Sequence, residues 1–72
     1  MAEGVVRWFD LAAGVGMIAR DGSGDDIFFH FTAIPGQGYR TVRSGARVRF
    51  EVEESAAGLS ARNVQRIEDA QG

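Results

Sequence analysis

No cysteine occurs in the sequence, which excludes disulfide bracing and any thiolate metal site. There is no lysine either: the 8 basic residues are all arginine, set against 10 acids for a formal charge of −2. That balance argues against a duplex binder that works by neutralising many phosphates. It leaves room for a binder that uses stacking and a local basic face, since guanidinium planes also stack on bases. His30 is the single histidine, so no second imidazole or thiolate joins it to hold zinc. No apolar run approaches the roughly 18 residues needed to cross a membrane. The opening Met1-Ala2-Glu3-Gly4 lacks the basic and apolar regions of a secretory signal. The cytoplasm is therefore the expected compartment, with no membrane partner. No serine sits in a Gly-x-Ser-x-Gly context, and Gly14-x-Gly16 lacks the third glycine and following helix of a dinucleotide site. A chain of 72 residues also offers little concave pocket. We expect no enzymatic activity, no cofactor and no small-molecule substrate.

What is present is a set of short apolar runs punctuated by 10 glycines. Val5–Phe9, Val15–Ala19 and Ile27–Phe31 read as strands rich in β-branched and aromatic residues. In Ala46–Val52, Val48, Phe50 and Val52 alternate with Arg47, Arg49 and Glu51, as a half-buried strand requires. Asp21-Gly22-Ser23-Gly24-Asp25 is a turn signal. Its oxygen spacing also opens an EF-hand loop, but Asp26 stands where glycine is needed and Thr32 where glutamate is needed, so a hairpin turn is expected instead of calcium. Thr32–Gly45 holds the one proline and reads as a long loop of the kind that often carries function. The tail is ambiguous. Leu59–Ile67 has helix-favouring composition, while its apolar residues Leu59, Ala61, Val64 and Ile67 fit neither the helical nor the strand period. Five short strands in so small a chain favour closure into a barrel, which removes exposed edges.

The third run, Ile27-Phe28-Phe29-His30-Phe31, carries the sharpest functional signal. Side chains alternate along a strand, so Ile27 and Phe29 share the more apolar face and belong in the core. Phe28 and His30 then stand outward. By the same reasoning a core Phe9 turns Trp8 outward with Arg7 close by. Flat rings open to solvent on neighbouring strands suit unstacked bases. The plain alternatives are a Phe28 covered by a loop, a Trp8 capping the barrel end and an ordinary surface histidine.

Three stretches together resemble the bacterial cold-shock domain: Gly4-Val5-Val6-Arg7-Trp8-Phe9-Asp10, Gly14-Val15-Gly16-Met17-Ile18 and Asp26-Ile27-Phe28-Phe29-His30-Phe31-Thr32-Ala33-Ile34. The likeness runs on through Gly38-Tyr39-Arg40, the strand from Gly45 to Phe50, and Ala61-Arg62-Asn63-Val64. It implies an all-β fold, a five-stranded antiparallel Greek-key barrel of the OB-fold type over residues 1–68, followed by a short tail, 69–72. It implies a strand in the tail region, and binding of single-stranded RNA or DNA with low sequence specificity, in the manner of an RNA chaperone. Matched position by position, Arg7, Trp8, Phe28, His30, Phe31 and Tyr39 fall on the family's binding positions, with Asp26 as the acidic residue at the edge. The first ribonucleoprotein motif departs from the family pattern Lys-Gly-Phe-Gly-Phe-Ile: here it reads Ala13-Gly14-Val15-Gly16-Met17-Ile18. A lysine is missing and two stacking phenylalanines are replaced by Val15 and Met17. Asp10 stands where the family has asparagine. Each missing stacking platform is worth roughly 1–3 kcal/mol, softened by the polarisable methionine, so weaker binding is expected.

Arg40 and Arg43, beside Tyr39, are candidates to hold the phosphates that the family's lysine would meet. Glu51, Glu53 and Glu54 form an acidic edge, read first as solvated charge that discourages edge pairing and second as a repulsive border that steers the nucleic acid. The competing reading of the whole face is a degenerate domain: Trp8, Val15, Met17 and Phe28 form an apolar patch suited to a protein partner or a homodimer. A further expectation makes His30 a pH-sensitive phosphate contact, stronger below about pH 6.5.

Overall fold

The computed structural model describes residues 1–36 and 40–67. The chain forms β1 (Ala2–Asp10), β2 (Val15–Arg20), β3 (Asp26–His30), a 3-10 turn (Phe31–Ala33), β4 (Arg47–Ser55) and β5 (Gly58–Arg66). They close in the order β1-β2-β3-β5-β4, with β5 inserted between β4 and β3. The pairs β1–β2, β2–β3, β1–β4 and β4–β5 are antiparallel, while β3–β5 is parallel. This is the expected five-stranded Greek-key barrel of the OB-fold type, antiparallel at every pairing but the β3–β5 seam. An odd number of strands cannot alternate direction around a closed ring, so one neighbouring pair must run parallel.

Alternation places the core as expected on β3, where Ile27 and Phe29 are fully buried. Val6, Ile18, Val48, Phe50, Ala61 and Val64 join them. Phe9 packs against this cluster and stacks on Phe29, with ring centroids 5.7 Å apart. Gly16 makes room for that pair: a Cβ there would lie 2.7 Å from both the Phe29 ring and the Trp8 carbonyl oxygen. No polar or charged side chain is buried among the described residues.

Two strands depart from simple alternation, and each departure is a bulge. Val6 pairs with Ile18 but Trp8 pairs with Met17, so Arg7 is the extra residue on β1. Arg49 pairs with Gln65 but Glu51 pairs with Arg62, which puts the extra residue on β5. Asn63 adopts a left-handed φ of 54° in that bulge, allowing Ala61 and Val64, three apart, both to face inward. The irregular apolar spacing of the tail is thus a strand with a bulge, and the local helix propensity is overridden by pairing with β4. The third strand ends one residue earlier than expected: Phe31 opens the 3-10 turn, its N–H donating to the Gly14 carbonyl at 2.8 Å.

The Asp21–Asp25 segment is the β2–β3 turn, with Gly22 and Gly24 at positive φ. Its carboxylates are used within the fold. Asp25 pairs with Arg20 at 3.0 Å and Asp21 with Arg47 at 2.8 Å. The Arg47 hydrogen bond holds the Asp21 carboxyl below its ordinary pKa, and the same contact raises Arg47. Glu3 takes both Arg47 and Arg49 at 3.3 Å.

Candidate nucleic-acid interface

Cross-strand partners share a face of the sheet and stand about 4.5–5.5 Å apart. The register therefore lines up Trp8 with Met17, Met17 with Phe28, Phe28 with Ser60, and Ser60 with Glu53. This is one transverse row over five strands, with two aromatic rings in it. Trp8 and Phe28 are each 42% exposed, so neither ring is spent in the core. Two strand spacings put them about 10 Å apart, with Met17 between. Beside this row lies a second: Asp10 with Val15, and Val15 with His30. Val15 and Met17 are half-buried and the histidine is exposed.

The β1 bulge explains how Arg7 and Trp8, adjacent in sequence, are both exposed. Arg7 Nη1 lies 3.5 Å from Asp26 Oδ1 on the neighbouring edge of the face. Asp10 does more than add charge beside Trp8. Its Oδ1 accepts from the backbone N–H groups of Ala12 at 2.9 Å and Ala13 at 3.1 Å, which shapes the turn that ends at Gly14, φ 72°. His30 is held by the turn that follows it. The Thr32 N–H donates to Nδ1 at 3.3 Å, and the Thr32 hydroxyl lies 2.9 Å from the same nitrogen. The Thr32 backbone thus fixes the orientation of the imidazole at Nδ1. Phe31 is half-buried with its ring 4.7 Å from His30, a tilted pair at 38°.

The expected site residues thus divide. Arg7, Trp8, Val15, Met17, Phe28 and His30 gather on the β1–β2–β3 face, with Phe31 at its edge. Arg40 is exposed in the connection before β4, its guanidinium against Gly36, and no contact joins it to the aromatic row among the described residues. Arg43 is exposed in the same connection. Tyr39 lies outside the described residues, as does the expected 69–72 tail. Ser60, Arg62 and Thr32 border the face and were not anticipated. Ser60 and Arg62 arrive through the parallel β3–β5 seam, a long-range pairing that leaves no local pattern, and Thr32 through the turn that follows His30. A groove of about 310 Å³ opens along this seam between Phe28, His30, Thr32, Glu53, Ser60 and Arg62. Glu53 pairs with Arg62 at 3.5 Å.

A closed five-stranded barrel with solvent-facing rings on the two strands that flank β2 has the architecture of an oligonucleotide-binding barrel. Residues 2–67 match the sequence profile described as the 'Cold-shock' DNA-binding domain. The chain is 48% identical to the cold shock-like protein CspA of Stigmatella aurantiaca over 67 residues, covering 93% of this chain and 98% of that protein. It is 44% identical to the cold shock protein CspC of Bacillus subtilis over 66 residues, covering 92% and 98%. With the major cold shock protein of Micrococcus luteus it shares 40% over 67 residues, covering 93% and 100%. The chain belongs to the cold-shock domain family, a family of nucleic-acid binders and not of enzymes.

Proposed function

We propose that this chain binds single-stranded RNA or DNA with low sequence specificity, in the manner of an RNA chaperone, by stacking unpaired bases on the β1–β2–β3 face. The observation that carries this reading is the transverse row in which Trp8 and Phe28, both 42% exposed, flank Met17. Each ring is worth roughly 1–3 kcal/mol to a stacked base, and every base offers a π-face, so affinity comes with little sequence preference. His30 presents its ring beside Phe28, and Val15 and Met17 give the bases aliphatic contact. Phe31 extends the aromatic edge. Tyr39 and Arg40, which precede β4 in sequence, belong to the same reading as contributors.

Duplex is a poor partner for this face, since rings about 10 Å apart on a convex sheet reach bases only when these are unpaired. Charge supports the same choice. Arg47 and Arg49 are committed to Glu3 and Asp21 on the β1–β4 side, so they form no free basic stripe. A cytoplasmic location, where unpaired transcripts are available, is part of this reading.

Titration with a short oligothymidine, followed by Trp8 fluorescence, tests it. Saturable quenching is expected at low salt, with a shallow salt slope and far weaker binding of the matching duplex. Unquenched Trp8 up to high micromolar oligonucleotide, together with a dimer in sedimentation, would transfer the face to a homodimer contact.

A further inference from the structure

β3 and β5 meet through a single pairing, Phe28 with Ser60. Beyond that bridge the strands leave the groove of about 310 Å³ that begins at Phe28 and His30, the last rings of the aromatic face. A second groove of about 430 Å³, reaching to Pro35 and Asn63, shares Thr32, Ala33 and Arg62 with the first. The first alone is at the lower end of the roughly 300–1,000 Å³ typical of small-ligand sites, which is room for one nucleotide. In shape, then, the seam continues the stacking face.

In charge it does not. Arg62 is the one arginine that lines either groove among the described residues. Its Nη1 lies 3.5 Å from Glu53 Oε2, with the two side chains 64% and 52% exposed. Glu51 stands directly across the β4–β5 pairing from Arg62 and accepts a 3.5 Å hydrogen bond from Asn63 Nδ2. A phosphate passing along the two grooves meets one guanidinium and two carboxylates, Glu53 in the first and Glu51 in the second. The cation that would draw it in is already partnered.

Resting on the stacking function above, we propose that Glu53 is a specificity-determining residue: by holding Arg62 it closes the β3–β5 groove to a phosphodiester and confines the bound strand to the aromatic face. The site thus gains little from bases beyond a short exposed run. Stacking dominates its affinity because the nearest cations, Arg7 and Arg62, are each paired with a carboxylate of their own surface.

The test is a ladder of oligothymidines from about three to about nine nucleotides, bracketing the smaller footprints of such barrels. It is read by Trp8 quenching for the unchanged chain, Glu53→Gln, Arg62→Gln and the double variant. All these sites are exposed, so the fold is retained. Glu53→Gln is expected to bind only the longer oligomers more tightly, by about fivefold, the size of one exposed charge contact. Its salt slope should steepen by about 0.7, one added phosphate on a single strand. Arg62→Gln alone should change nothing, and in the double variant the gain should vanish. The inference is overturned if Glu53→Gln gives no length-dependent gain. It is equally overturned if Arg62→Gln weakens the longer oligomers, which would mean that Arg62 is already engaged. If short oligomers leave Trp8 of the unchanged chain unquenched, the stacking function itself fails, and this inference with it.

Discussion

Met17 and Val15 occupy the middle of a face whose flanks are aromatic. Met17 is the register partner of both Trp8 and Phe28, and Val15 of His30. Their side chains share the solvent-facing surface and are half-buried by their neighbours. A flat ring at either position would fill the gap between existing rings without entering the core. Val15→Phe combined with Met17→Phe is therefore expected to tighten binding of a short single strand at least about fivefold, since even one restored platform is worth about 1–3 kcal/mol. Urea unfolding should show a stability change within about 1 kcal/mol, because neither side chain is a core residue. Unchanged affinity in that variant would mean that bases do not pass over β2. Asp10 illustrates the opposite case, a residue whose role was hidden. Its carboxylate reads as surplus charge, yet it accepts two backbone N–H groups in the β1–β2 turn.

At the scale of the element, the bulges decide which side chains reach the face. The extra residue on β1 leaves both Arg7 and Trp8 exposed, and the one on β5 brings Ala61 and Val64 inward. Asn63 holds φ at 54°, a conformation that costs most side chains about 1–2 kcal/mol. Asn63→Ala is accordingly expected to destabilise the barrel by about 1 kcal/mol, and Asn63→Gly much less, as measured by urea unfolding. Equal costs for the two substitutions would point to the hydrogen bonds of Asn63 with Glu51 and Gln65 as the cause, in place of its backbone.

Alternation made the outward Phe28 and the buried Ile27 and Phe29 legible in the sequence, because β3 is regular. It left the tail undecided between helix and strand, because a bulge erases the period-two signal over a single residue. It also placed Phe31 in the strand, where the chain instead turns to hand its N–H to Gly14. The groove residues Ser60 and Arg62 were beyond reach for a different reason. Their neighbours on β3 lie some 30 residues away in sequence, and only closure brings them together.

For the whole molecule, closure with an odd strand count determines that one seam must run parallel, and that seam borders the aromatic face. The charges are partitioned over the same surface. The β1–β4 side carries a network of Arg47, Arg49, Glu3 and Asp21, while Arg7–Asp26 and Arg62–Glu53 flank the aromatic row. The molecule thus presents one face suited to bases and another whose charges are mutually satisfied. Amide and indole chemical-shift mapping with a short single-stranded oligonucleotide separates these two faces directly. Shifts are expected to concentrate at Trp8, Val15, Met17, Phe28 and His30, with Glu3, Arg47 and Arg49 silent. Shifts centred on Arg47 and Arg49, with the Trp8 indole unmoved, would contradict stacking on the β1–β2–β3 face.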